Sequence, residues 1–226
     1  MCRVVGTYRD DMVRVPLFPL GTVLVPGATL PLQVFEPRYL ELLSDLVHAM
    51  DVPEFGVVAI RQGHEVGADS VRDLHEFGCL ARVVHAAPAG DGRYFVLSTG
   101  LHRFHLDALV HGAGTAYLTG EVTVLEERTG DAAEVGRLAQ RLRGALGAYA
   151  ATVGVEAPEW PTDAVDLSHA VGAAIGLDLG DRQRLLAAED TETRLRLGLQ
   201  LVRRERTLAA TLGVVPPTPE HGFNAN

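Results

Sequence analysis

The chain has 226 residues, 47% of them hydrophobic and 22% charged, which is enough apolar content to bury the core of one large or two small domains. A formal net charge of −9 disfavours general affinity for nucleic acid or an anionic membrane. All 20 basic residues are arginine, so chemistry that needs a lysine amine within these residues is excluded, including a phosphate-loop lysine, a Schiff base and a Ser-Lys dyad.

In chain order, residues 1–11 read as a flexible N-terminus, where Arg3, Arg9, Asp10 and Asp11 leave no apolar stretch for a secretory signal. Residues 15–35 carry no charge, but Pro16, Pro19, Pro26 and Pro31 would each cost roughly 3 kcal/mol inside a helix. Short buried strands and turns are therefore expected there. Pro37 suits the first position of a helix, and Tyr39, Leu40, Leu43, Leu46 and Val47 recur at helical spacing until Asp51-Val52-Pro53. The runs 13–15, 55–60, 80–84, 94–97 and 117–125 are short, rich in β-branched or aromatic residues, and separated by turn residues, so they predict strands. Asp91-Gly92 marks a tight hairpin.

Beyond Thr129-Gly130 the period changes to that of helices, expected at 131–153, 163–177, 181–189 and 191–211, with Asp181 and either Asp190 or Thr191 as N-caps. Trp160, between Pro158 and Pro161, reads as a packing anchor. Gly172, Ala173, Ala174 and Gly176 suit close helix contact. The expected organisation is a β domain at 12–128, a helical bundle at 129–213 and a disordered tail at 214–226.

Candidate chemistry is sparse. No G-x-S-x-G elbow surrounds Ser44, Ser70, Ser98 or Ser168, and Cys79, with His75 or His85 as partner, reads better as a buried structural thiol. The nine histidines lack metal-ligand spacing; His102 and His105 would face opposite sides of a strand. Glu36, Asp91, Glu126 and Glu127 have local roles at a helix start, a turn and a strand end. The expectation is no catalytic residue, no metal and no cofactor. Sparse cysteine, with Cys2 near the terminus, suits a cytoplasmic protein.

The densest constellation is Leu17-Phe18-Pro19-Leu20, Pro26-Gly27, Leu30-Pro31-Leu32 and Phe35-Glu36-Pro37-Arg38-Tyr39. It is followed in order by Phe55-Gly56-Val57-Val58, Gly78-Cys79-Leu80-Ala81-Arg82-Val83, Asp91-Gly92-Arg93 and Gly100-Leu101-His102-Arg103-Phe104, and in the helical half by Leu167-Ser168-His169 and Asp181-Arg182-Gln183-Arg184-Leu185-Leu186. Over roughly residues 12–206 this pattern resembles the N-terminal substrate-binding domain of Lon proteases, which also occurs in stand-alone proteins and in cereblon-like receptors. The resemblance implies an α+β fold: a PUA-like β barrel with one inserted helix, then a C-terminal α-helical bundle.

Lon proteases continue into an ATPase module and a Ser-Lys protease domain, whereas this sequence ends at Asn226 and contains no lysine. The resemblance therefore implies a non-catalytic module that recognises polypeptide, either unfolded or one specific partner, and presents it to a protease or chaperone, while the net charge of −9 disfavours nucleic acid and membrane as partners. Phe35, Glu36, Arg38, Tyr39, Arg103 and Phe104 are the candidate polypeptide-binding residues, although each also has a structural reading in locking the β domain together. The alternative is an RNA-binding PUA-like module using Arg194, Arg196, Arg203, Arg204 and Arg206, opposed by the charge and by an aromatic content of 6%. The plainer reading of that run is a solvated helix face with Glu192 and Glu205 as partners. A hydrolase built on Cys79 is a third reading. Leu195, Leu199, Val202 and Leu208 form the stripe a packed helix needs.

Overall fold

The computed structural model describes residues 12–48, 52–63, 65, 71–212 and 224–225. The expected flexible segment 1–11, and all but 224–225 of the tail expected at 214–226, lie outside the described residues. The chain has a mixed α+β fold that divides into two compact units, one reaching Glu126 and including 224–225, the other starting at Glu127.

In the first unit, the strands are β1 (Met12–Leu20), β2 (Thr29–Val34), β3 (Glu54–Gly63), β4 (Val71–Gly90), β5 (Arg93–Leu109), β6 (Leu118–Val124) and the short β7 (Asn224–Ala225), with helix α1 (Pro37–His48) between β2 and β3. Hydrogen bonding follows the order β4-β3-β1-β6-β5-β2-β7, and β4 also pairs with β5, so the pairings from β4 through β3, β1, β6 and β5 return to β4. β1 and β3 run parallel, whereas β5 pairs antiparallel with β2, β4 and β6. The tight turn falls at the expected dipeptide, where Asp91 (φ 50°) and Gly92 (φ 73°) both adopt left-handed backbone. The hairpin arms are far longer than the runs 80–84 and 94–97 suggested. Irregularities at Cys79/Ala81, Val83/His85 and Pro88/Gly90 interrupt the alternation, so the sequence period fades while the pairing continues.

Tyr39, Leu42, Leu43 and Leu46 of α1 pack with Leu30, Leu32, Val34 and Val96 of β2 and β5, and with Phe18 and Phe55. Each such side chain contributes about 1.5–3 kcal/mol by leaving water. A second cluster gathers Leu17, Val58, Ile60, Leu74, Leu80, Phe104 and Val122. Phe104 explains two of the motif glycines. A Cβ on Gly56 would come within 3.1 Å of its ring, and one on Gly78 would press into the same ring and lie 2.6 Å from the Val57 carbonyl oxygen. Gly100 accepts from Gly27 N and donates to Ala28 O, both at 2.9 Å, and a Cβ there would collide with the Val25 carbonyl.

The second unit holds α2 (Ala132–Val153), α3 (Ala164–Ala174), α4 (Leu179–Ala187) and α5 (Thr191–Leu212). The Asp131 side chain accepts from Glu134 N at the start of α2, and Gly154 (φ 73°) ends it. Asp163 caps α3, and Asp190 accepts from Thr193 N at 2.7 Å at the start of α5. Asp181 is not the cap of α4. That role falls to Asp178, whose side chain accepts from Asp181 N, while Asp181 lies inside the helix and is buried. α3 ends before residue 177 because the chain turns extended at Ile175, which lets Ile175 and Leu177 both enter the core with Leu138, Leu142, Leu167, Leu195 and Val202. Trp160 packs at the edge of this cluster. Close approach of α3 and α5 occurs at Gly198, where a Cβ would meet Val171 at 3.4 Å.

Candidate functional site

Of the six residues named from the sequence, the structure buries four: Glu36, Tyr39, Arg103 and Phe104. Tyr39 is 1% exposed and stacks on Phe18 with ring centroids 4.1 Å apart; Arg103 is 1% exposed and Phe104 is fully buried. As placed, the Tyr39, Arg103 and Phe104 side chains cannot meet a ligand at the surface, because α1 and the strands need them as core. Burial pushes the Tyr39 hydroxyl up to about 12, so it stays protonated in the physiological range. Arg38 is largely covered: its guanidinium lies 4.5 Å above the Tyr39 ring, pairs with Glu36 at 3.1 Å and donates to the Glu65 carbonyl at 3.0 Å. Glu36 in turn starts α1, its carbonyl accepting from Tyr39 N and Leu40 N. Phe35 alone of the six presents a large apolar side chain to solvent, at 36% exposure.

Phe35 follows β2 directly, and β2 borders a second exposed apolar group. On β5, Tyr94, Val96 and Ser98 turn toward the core, so Phe95, Leu97 and Thr99 turn outward. Phe95 stands opposite Gln33 of β2 and Ala87 of β4; Leu97 stands opposite Pro31 and His85. Val84 is the extra residue at the Val83/His85 irregularity and is exposed. The outer surface of β2, β5 and β4 thus carries Phe95, Leu97, Pro31, Ala87 and Val84, with Phe35 at the end of β2. A solvent-facing strand that alternates apolar residues on both sides departs from the usual polar outer face of an antiparallel sheet. The signal lay in Arg93-Tyr94-Phe95-Val96-Leu97, which has no polar residue at alternate positions after Arg93.

The arginine run on α5 separates into different roles. Arg194 is 1% exposed and donates to Ser168 Oγ (2.9 Å) and Glu127 Oε2 (3.1 Å), with His169 Nε2 also 3.1 Å away. Arg196 pairs with Glu192, and Arg204 with Asp181 and Glu205, each at 2.6 Å. Arg203 and Arg206 remain on the solvent side. The first cluster brings a serine, a histidine and a carboxylate together, but the guanidinium stands among them. Ser168 is fully buried and donates to the Val165 carbonyl at 2.6 Å, so the arrangement ties Glu127 to α3 and α5 and does not aim a nucleophile.

Cys79 is fully buried among Phe18, Val57 and Ala81, with Sγ 3.3 Å from the Leu80 carbonyl. Burial, with Arg61 nearby, holds His75 below its usual value. His105 pairs with Asp107 at 2.8 Å and meets the Phe77 ring edge-on. Among the described residues no group of three or more His, Cys, Asp or Glu side chains gathers as a metal site, and no helix is long and apolar enough to cross a membrane.

The chain is similar to known proteins over most of its length. The model of the ATP-dependent protease La (LON) substrate-binding domain matches residues 14–204. Lon protease 2 of Myxococcus xanthus is 29% identical over 210 residues, covering 88% of this chain and 25% of that protein. Lon protease of Escherichia coli K12 is 24% identical over 204 residues, 87% of this chain and 25% of that protein. The chain thus spans about a quarter of the length of these curated relatives. Among solved structures, a Lon N-terminal domain protein from Xanthomonas campestris superposes with a TM-score of 0.61 at 27% identity, covering 84% of this chain and 98% of that one. The N-terminal domain of Mycobacterium avium complex Lon protease gives a TM-score of 0.63 at 19% identity with the same coverage, a likeness of fold. Because the matched span 14–204 covers most of both units, the chain belongs to the LON substrate-binding domain family.

Proposed function

We propose that this chain is a polypeptide-recognition module that acts without catalysis of its own and hands its ligand to a protease or chaperone. The observation that carries the reading is the match of residues 14–204 to a substrate-binding family. The outer face of β2, β5 and β4 supplies a place for it. An extended segment laid across Phe35, Phe95, Leu97 and Val84 would cover apolar surface that now faces water, and side chains alternating along that segment would meet the face at every second residue. The closed circuit of strand pairings supports a PUA-like barrel as the scaffold, and the four helices of the second unit support a bundle.

The reading is tested by titrating the purified chain against a fluorescent, permanently unfolded polypeptide and, in parallel, a single-stranded RNA, each at low and high salt. Saturable polypeptide binding that survives high salt is expected, because apolar burial is not screened. Binding of RNA alone, weakening steeply with salt, would replace the polypeptide reading with a nucleic-acid one.

A further inference from the structure

An open cleft of about 400 Å³ lies between α2 and α5, lined by Arg141, Gly144 and Ala145 from one helix and Arg203, Arg206 and Thr207 from the other. Both triplets have the spacing i, i+3, i+4, which places each set on one helix face. The arginines set this cleft apart. Arg137, Arg184, Arg196 and Arg204 pair with Glu134, Asp181, Glu192 and Asp181 respectively. Arg141, Arg203 and Arg206 have no acidic partner among the described residues, in a chain whose net charge is −9. Three like charges drawn to one concavity repel one another, and in an acidic protein they would be neutralised most simply by local carboxylates. None stands there. Gly144 adds room: a Cβ at that position would meet nothing within 4 Å, so the centre of the cleft is open down to the α2 backbone.

From these features we infer that the α2–α5 cleft binds a phosphate group, carried on a small organic molecule, between the guanidinium groups of Arg141, Arg203 and Arg206. A phosphate monoester has a charge of about −1.5 to −2 and three acceptor oxygens, which matches three forked donors better than one carboxylate does. The cleft volume falls in the range of small-molecule sites of about 300–1,000 Å³, leaving space for an organic group over Gly144 and Ala145. The Thr207 hydroxyl donates to the Arg203 carbonyl at 3.0 Å and keeps its acceptor capacity at the rim. The lining residues all belong to the second unit, and the inference holds whether or not the sheet face captures polypeptide.

The test is calorimetric titration of the full chain with inorganic phosphate, phenyl phosphate and a short single-stranded RNA, on wild type and on Arg141→Gln, Arg203→Gln, Arg206→Gln and Gly144→Leu. All four positions face open space, and replacing glycine within α2 favours the helix, so the variants are expected to fold. Saturable one-to-one binding of phenyl phosphate is expected, tighter than that of inorganic phosphate. Each arginine variant should weaken it about tenfold or more, in line with the loss of one charge-assisted hydrogen bond. Gly144→Leu should weaken phenyl phosphate more than inorganic phosphate, because it occupies the space of the organic group. Arg137→Gln, which removes a paired arginine on the same helix, should leave binding unchanged. Absence of saturable binding by either phosphate would overturn the inference. So would binding indifferent to the three arginines, or RNA binding through them with neither small phosphate bound.

Discussion

Replacing Phe95 and Leu97 together by threonine tests whether the sheet face captures polypeptide. Full burial of a Phe or Leu side chain is worth about 1.5–3 kcal/mol. Phe95 and Leu97 retain 37% and 38% of their exposure, so covering the remainder contributes about 0.6–1.1 kcal/mol each. The pair together accounts for about 1–2 kcal/mol, a loss of roughly 5- to 30-fold in affinity. Threonine keeps the strand preference and the outward side chain, so the hairpin is retained. Both residues are also partly packed, and a destabilisation of about 1–2 kcal/mol accompanies the change. Fluorescence anisotropy with a labelled unfolded polypeptide reads the affinity, at a temperature well below the thermal midpoint of the variant. Val47→Thr on α1 is the control, since Val47 is 53% exposed but lies off the sheet. Unchanged affinity in the double variant, or an equal loss in the control, would refute the assignment of this face.

Other consequences concern the framework. Gly78→Ala should lower the urea midpoint by the equivalent of about 3 kcal/mol or more, since its Cβ would sit 2.6 Å from the Val57 carbonyl and against the Phe104 ring, and neither can yield without moving a strand. Glu127→Ala should cost about 3 kcal/mol by leaving the Arg194 charge buried without its carboxylate, and the double variant Glu127→Ala/Arg194→Met should be more stable than that single one in the same denaturation assay. Asp190→Asn tests the cap of α5. The Thr193 backbone N–H holds the Asp190 carboxyl below its ordinary 3.8, so its ionised-cap stability is complete above that value and lost as pH falls through the lower folded value. The stability difference between wild type and Asp190→Asn should therefore shrink as unfolding is measured at pH values progressively below 3.8.

How much of this was legible in the sequence depends on the kind of signal. The helices of the second unit were readable within a few residues, because Asp131, Asp163 and Asp190 combine a cap with a strong 3.6-residue period. Asp181 misled because Asp178 precedes it by three residues and both are capable caps; only the core position of Asp181 distinguishes them. The long arms of β4 and β5 were hidden by their irregular pairings, which break the two-residue alternation without breaking the ladder.

The site was less legible, and the reason is physical. Arg103, Phe104 and Tyr39 stand in the most distinctive motifs, yet their distinctiveness comes from close packing: Phe104 fits only against glycines 56 and 78, and Tyr39 carries Arg38 on one side and Phe18 on the other. Residues that must fit many neighbours leave a stronger mark in sequence than residues that face water. Phe95 and Leu97 bear no motif; alternation along β5 turns both outward, and the register against Pro31, Gln33, His85 and Ala87 adds the neighbouring strands to that face. The three arginines of the helical cleft are alike in this respect. Arg203 and Arg206 stand on either side of Arg204 in the run, but Arg204 is neutralised by Asp181 and Glu205, and Arg141 joins them from 62 residues before Arg203 only because α2 packs along α5. The two proposed surfaces are assembled by strand register and helix pairing, so they follow from the structure where the motifs themselves describe the core.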